Sequence, residues 1–232
     1  MDTTFENTGV YRSAADINTA MGRVYANMFL AIVTSMLTSF VVGTSPELMQ
    51  FFFTGAMRWL VLFAPLVFIF LVPVILNSNP PRAVAHLTLH GFAGLMGLSL
   101  SSIFVVYNMG SIVGAFMGAA VLFGVMSLYG YFTKQSLDSF GKYLFVALIA
   151  IVIASIINIF IGSSALQMLI SAAAILIFMG LTAYDTQQIR EMVSVDRDEA
   201  VEIMGAITLY LNFINLFIHL LQLFGVINSS DD

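Results

Sequence analysis

The chain has 232 residues, of which 59% are hydrophobic and only 9% charged, with a mean hydropathy of +0.97. Soluble domains carry charge at about a quarter of their positions, so the composition is that of an integral membrane protein. A net charge of −5 lacks the basic face that nucleic-acid binding needs, and the absence of cysteine excludes disulfides and thiolate metal sites.

Residues 1–23, MDTTFENTGVYRSAADINTAMGR, are polar and mixed in charge and read as an N-terminal tail. No apolar segment precedes residue 24, so no cleavable signal peptide is expected, and the first hydrophobic helix serves as the targeting signal. Apolar runs of about 20 residues, enough to cross a bilayer, then fall near 24–43, 57–76, 84–107, 111–131, 142–161, 165–184 and 204–225. Turn chemistry separates them. GTSPE ends the first, and NSNPPR the second, where Pro80 and Pro81 cannot continue a helix. YNMGS, TKQSLDSFGK and GSS mark the next three breaks, and the longest polar connection is REMVSVDRDEAVE at 190–202. The expected fold is an all-α bundle of seven transmembrane helices over 24–225, with a short tail at 226–232.

With seven crossings, Arg12, Arg23, Arg82, Lys134, Lys142, Arg190 and Arg197 fall at one end of the bundle and only Arg58 at the other. The excess of basic residues makes the first end cytoplasmic. The N-terminus is then inside and the C-terminal NSSDD outside. Small residues let helices approach closely in lipid, so Gly91, Gly94 and Gly97, and Gly110, Gly114 and Gly118, read as packing seams.

Polar residues inside the apolar runs carry the functional information. Asp185 is a carboxylate in the sixth helix, the one acidic residue of thirteen placed more than about a turn from a tail or loop. Intramembrane carboxylates usually face a cavity between helices. In the seventh helix Thr208, Asn212, Asn215, His219 and Gln222 recur at helical spacing and share one face. If the sixth helix continues to Arg190 or beyond, Asp185 and Asn212 lie at similar depth on antiparallel neighbours, and a hydrogen bond between them is expected. Thr208 and Gln222 read as interhelical glue. His86 and His90 share a face of the third helix and are candidate protonatable groups, but two histidines fall short of a zinc site.

Four motifs in order, GLSLSSIFVVY, MSLYGYFTKQSLDSFG, LTAYDTQ and GAITLYLNFINLF, resemble the transmembrane Bax inhibitor motif family, and most closely its bacterial inner-membrane branch. The resemblance covers essentially the whole chain. It implies a seven-helix fold with one central helix enclosed by six, and a pH-sensitive calcium leak. It also implies a pair of aspartates on helices six and seven sharing a proton, engaged by an arginine near the end of helix two. Asp185 matches the first aspartate, the second position holds Asn212, and Arg82 is the candidate latch. Two carboxylates in contact resist double ionisation. An Asp–Asn pair holds one charge at most, so proton gating is expected to be weakened or moved to another pH range.

The expected function is therefore a calcium leak in which Asp185 attracts or ligates the ion and Asn212 adds an oxygen, with calcium as transported ion and no cofactor. Membrane lipid is the other expected partner. An aspartyl hydrolase needs two carboxylates, and the chain is not expected to be an enzyme. The alternative is a non-conducting regulator that binds another membrane protein, such as a quality-control protease, through the acidic 190–202 stretch. Monomer and homo-oligomer are equally open.

Overall fold

A computed structural model describes residues 12–228. Among these the chain forms only helices: α1 (Ala14–Gly43), α2 (Pro46–Phe53), α3 (Met57–Leu76), α4 (Arg82–Leu100), α5 (Ile103–Val106), α6 (Met109–Phe132), α7 (Asp138–Ile161), α8 (Ser164–Val195) and α9 (Glu199–Asn228). Seven crossings result, with α4 and α5 acting as one. The expected all-α membrane bundle is the observed one.

Local chemistry sets the helix ends. Ser13, Ser45, Asn108 and Ser163 each cap a helix, their side-chain oxygens accepting a backbone N–H of the first turn. In the GSS break, Gly162 takes φ +68° to close α7 and Ser163 opens α8. The third crossing is less regular than its apolar run suggested. Ser101 Oγ donates to the Leu98 carbonyl at 2.7 Å, and the helix breaks at Ser101–Ser102 before resuming as α5.

Three boundaries differ from the sequence reading. The first helix starts at Ala14 rather than residue 24, so much of the supposed tail is helical. The 190–202 connection shrinks to Asp196–Asp198, because α8 runs on to Val195 and α9 starts at Glu199. Hydrophobicity marks where a helix leaves the apolar layer, not where it ends. Gln187, Gln188, Arg190 and Glu191 are good helix formers and carry α8 past that point. At the other end, α9 extends through Asn228, into the segment read as a tail.

The basic residues gather as expected. Arg12 N–H donates to the Ser194 carbonyl at 2.8 Å, and Arg190 Nη1 to the Tyr131 carbonyl at 3.1 Å. Gln187 ties the loop before α7 to α8 through Gln135 O and Leu137 N. These contacts bring the N-terminal end of α1, the 133–137 loop and the α8–α9 turn to one end of the bundle. Arg58 sits at the opposite end with its guanidinium 5.0 Å from the Trp59 ring centre.

The last helix is the most deeply placed. In its apolar stretch 67% of residues are buried, against 11% in α7 and at most 39% elsewhere. It packs against α1, α3, α4, α6 and α8, whereas α7 leans chiefly on α8. Of the expected glycine seams, Gly97 is a true close approach, since a Cβ there would stand 2.5 Å from the Ser35 carbonyl oxygen. Gly94 faces open space and Gly110 meets only its own cap, Asn108. The tightest crossing was not among those expected. A Cβ on Gly130 of α6 would collide with the Ala183 carbonyl oxygen of α8.

Gly130→Ala should therefore destabilise the bundle by about 1–3 kcal/mol through overpacking. Gly94→Ala should be neutral or stabilising by up to about 1 kcal/mol through helix propensity. Thermal unfolding in detergent, followed by size-exclusion fluorescence, separates the two. Equal midpoints would show that the α6–α8 crossing yields freely.

Candidate functional site

Asp185 lies ten residues before the end of α8, about 15 Å along the helix axis at 1.5 Å per residue. Asn212 lies thirteen residues into α9, so antiparallel packing brings the two to one level. Asn212 Nδ2 donates to Asp185 Oδ2 at 2.7 Å, as expected from sequence. Asn212 is 5% exposed and Asp185 is partly buried. Both line a cavity of about 530 Å³ between α7, α8 and α9, where α7 stands away from α9.

The rest of the polar face divides by depth. Thr208 Oγ1 donates to the Met204 carbonyl at 3.1 Å and Asn215 Nδ2 to the Leu211 carbonyl at 2.8 Å, so both satisfy their donors within α9 while lining the cavity. Thr208 is thus not the interhelical glue that its position suggested. His219 lies over Phe178 with ring centres 6.0 Å apart, and its buried Nδ1 has no hydrogen-bond partner among the described residues. Gln222 is glue: its Oε1 accepts from Gln167 Nε2 at 3.0 Å and from Ser171 Oγ at 3.1 Å, both on α8. Ser155 of α7, which the sequence reading passed over, also lines the cavity.

The two candidate histidines of α4 do not act together. His86 Nε2 meets Glu199 Oε1 at 3.0 Å, while His90 Nδ1 meets Thr34 Oγ1 of α1 at 2.9 Å. Among the described residues no three His, Cys, Asp or Glu side chains come together as a metal site.

Residues 17–230 match the protein family described as Inhibitor of apoptosis-promoting Bax1. The chain belongs to the Bax inhibitor family. It is 36% identical over 231 residues to inner membrane protein YbhL of Escherichia coli, covering 97% of this chain and 99% of that protein. It is 32% identical over 234 residues to YrjE of Lactococcus lactis, covering 98% and 99%. It is also 35% identical to a Rickettsia prowazekii protein over 212 residues, 88% of each chain.

In this Bax inhibitor family member the candidate latch is engaged elsewhere. Arg82 Nε lies 2.7 Å from Glu199 Oε2, with the arginine side chain 87% exposed. It starts α4 immediately after Pro81, which places it at the level of the α9 N-terminus and well short of Asp185 in depth. The sequence reading also missed a second carboxylate inside a helix. Glu202, in the first turn of α9, is 2% exposed. Arg23 of α1 grips it with Nε at 2.6 Å from Oε2 and Nη2 at 2.5 Å from Oε1, and Arg12 Nη1 stands 3.4 Å from Oε1. Pricing a lone carboxylate against lipid gave no warning of this, because two arginines and the positive end of the α9 dipole offset the charge. The available signal was the spacing of Glu199 and Glu202, three apart on one helical face.

Removing one partner from a buried pair leaves the other charge uncompensated, typically costing about 3–5 kcal/mol. Arg23→Ala and Glu202→Ala should each lower stability by an amount towards the lower end of that range, since Arg23 is half exposed. The double replacement should be less damaging than the sum of the two. A double-mutant cycle on thermal midpoints measures this coupling, and additive effects would show that the pair holds nothing together.

Proposed function

We propose that this protein is a calcium leak of the inner membrane, passing the ion along the α7–α8–α9 cavity with Asp185 as its point of attraction. The observation that carries this reading is a carboxylate inside a membrane helix whose one hydrogen-bond partner among the described residues is a neutral amide. Glu202 is neutralised by arginines; Asp185 is not. A charge kept in a membrane helix without compensation is costly, and its use is to lower the barrier for a cation.

Calcium takes about six to eight oxygen ligands. Asp185, the Asn212 carbonyl oxygen and the Thr208 hydroxyl supply too few, so the ion keeps part of its water. That suits transit better than residence. The chain acts without catalysis in this reading: Asp185 has no second carboxylate beside it, and Glu202 belongs to an arginine cluster some ten residues away in α9. Family membership, the relation to an inner membrane protein and the end-wise gathering of basic residues support a multi-pass inner-membrane location. In this reading the N-terminus is cytoplasmic and the C-terminus extracytoplasmic.

The regulator reading keeps part of its acidic surface. Glu199 and Glu202 turn towards α4 and α1, leaving Asp196 and Asp198 as the exposed acids of the α8–α9 turn. Both of those accept backbone N–H groups within the turn.

Two carboxylates in contact titrate in two coupled steps, so Asn212→Asp should give the leak a several-fold different response between roughly pH 5 and 8 from that of the native chain. Asp185→Ala should reduce flux at every pH. Calcium entry into proteoliposomes, with protein content matched, measures all three. Equal leaks from the native chain and both variants would remove Asp185 and Asn212 from the pathway.

A further inference from the structure

We propose that the cavity between α7, α8 and α9 is a binding site for lipophilic ammonium ions, meaning protonated amines that carry bulky apolar substituents. The inference rests on the reading of Asp185 as an open, charged carboxylate, but concerns a different ligand from the transported ion. Three features of the site point to it.

The first is the half-free carboxylate. Asn212 occupies Asp185 Oδ2, while Oδ1 receives no hydrogen bond among the described residues and the side chain lines the cavity. One ammonium N–H satisfies one such oxygen with a charge-assisted bond. A divalent metal would need several more oxygen ligands than the site has.

The second is the wall opposite. Leu148, Ile151, Val152 and Ile156 of α7, with Leu181 of α8, line the cavity with hydrocarbon. Such walls cannot replace the water of a small hydrated ion, but they match alkyl or aryl groups around a nitrogen. At about 530 Å³ the cavity has the size of a small-molecule site, and a mostly apolar lining with few polar groups is the usual form of one.

The third is access. Because α7 leans chiefly on α8 and leaves a gap towards α9, the cavity is flanked by the least buried crossing of the bundle. A protonated lipophilic amine concentrates in the bilayer interface with its apolar groups in the hydrocarbon, and reaches this gap from the side. Entry from the membrane uses the ligand's partitioning, which a hydrated ion lacks.

The test uses the full chain in lipid nanodiscs and tritiated tributylamine, which is protonated at neutral pH. Binding is read by scintillation proximity, with empty nanodiscs measuring partition into lipid. The native protein should show saturable binding, displaced by excess unlabelled amine. Asp185→Asn keeps the side-chain shape and should weaken binding at least about tenfold. Ser155→Leu narrows the cavity from the α7 side without touching the carboxylate and should also weaken it. An absence of saturable binding to the native chain, or unchanged affinity in Asp185→Asn, overturns the proposal. Calcium flux measured on the same preparations keeps the two readings apart. Flux through Asp185 without amine binding defeats the amine site alone, and amine binding without flux defeats the leak alone.

Discussion

Most polar side chains on α9 find their partners inside the protein, because this helix is two-thirds buried in its apolar stretch and the surrounding layer is lipid. That constraint orders the bundle from end to end. Near the α9 N-terminus, Glu199 and Glu202 engage α4 and α1. Further along, the Tyr210 hydroxyl shares a 2.6 Å hydrogen bond with Ser35 of α1, whose own hydroxyl also reaches the Ala93 carbonyl of α4 at 2.7 Å. Asn212 meets Asp185 of α8, and Gln222 meets Gln167 and Ser171. Van der Waals packing alone allows apolar helices to slide or rotate. Polar contacts at four levels, to three different helices, fix both the depth and the rotation of α9.

The two carboxylates inside the bundle, Glu202 and Asp185, are held in opposite ways. Glu202 stands in the first turn of a helix, where the dipole favours an anion, with a bidentate arginine and a second arginine beside it. Its charge is neutralised and its geometry specific, so it clamps α1 to α9. Asp185 lies deeper and has an amide in place of a cation. An amide orients a carboxylate without cancelling its charge. The structure therefore sets an arginine-paired clamp near one end of the bundle and a carboxylate without a cationic partner among the described residues beside a cavity further in.

The seven crossings, their breaks and the gathering of basic residues were legible because lipid imposes a strong and simple pattern on sequence. The Asp185–Asn212 contact was legible too, since helical spacing and antiparallel order fix depth without any knowledge of side-chain packing. Helix ends beyond the apolar layer were not, as the polar residues of 187–195 look like loop while forming helix. Glu202 was hidden for a related reason. Its partners, Arg12 and Arg23, lie about 180–190 residues away, and compensation across such a distance leaves no local mark. The glycines were misjudged because spacing reveals a small face but not whether another backbone lies against it. Gly130, with bulky Met126 four positions before it and the end of α6 two residues after it, closes the tightest crossing.

Asn212 sharpens what the family resemblance can transfer. Resemblance places an aspartate there, and with it a proton shared between two acids. The observed pair keeps the short hydrogen bond but makes its donor permanent, because an amide N–H neither leaves nor arrives as pH changes. While Asp185 is ionised, the contact between α8 and α9 at this level has the form of a diacid pair that retains one proton. The amide engages Oδ2, and the Asp185 side chain lines the cavity. The proposed leak relies on this pair as a single carboxylate oriented by an amide beside the cavity.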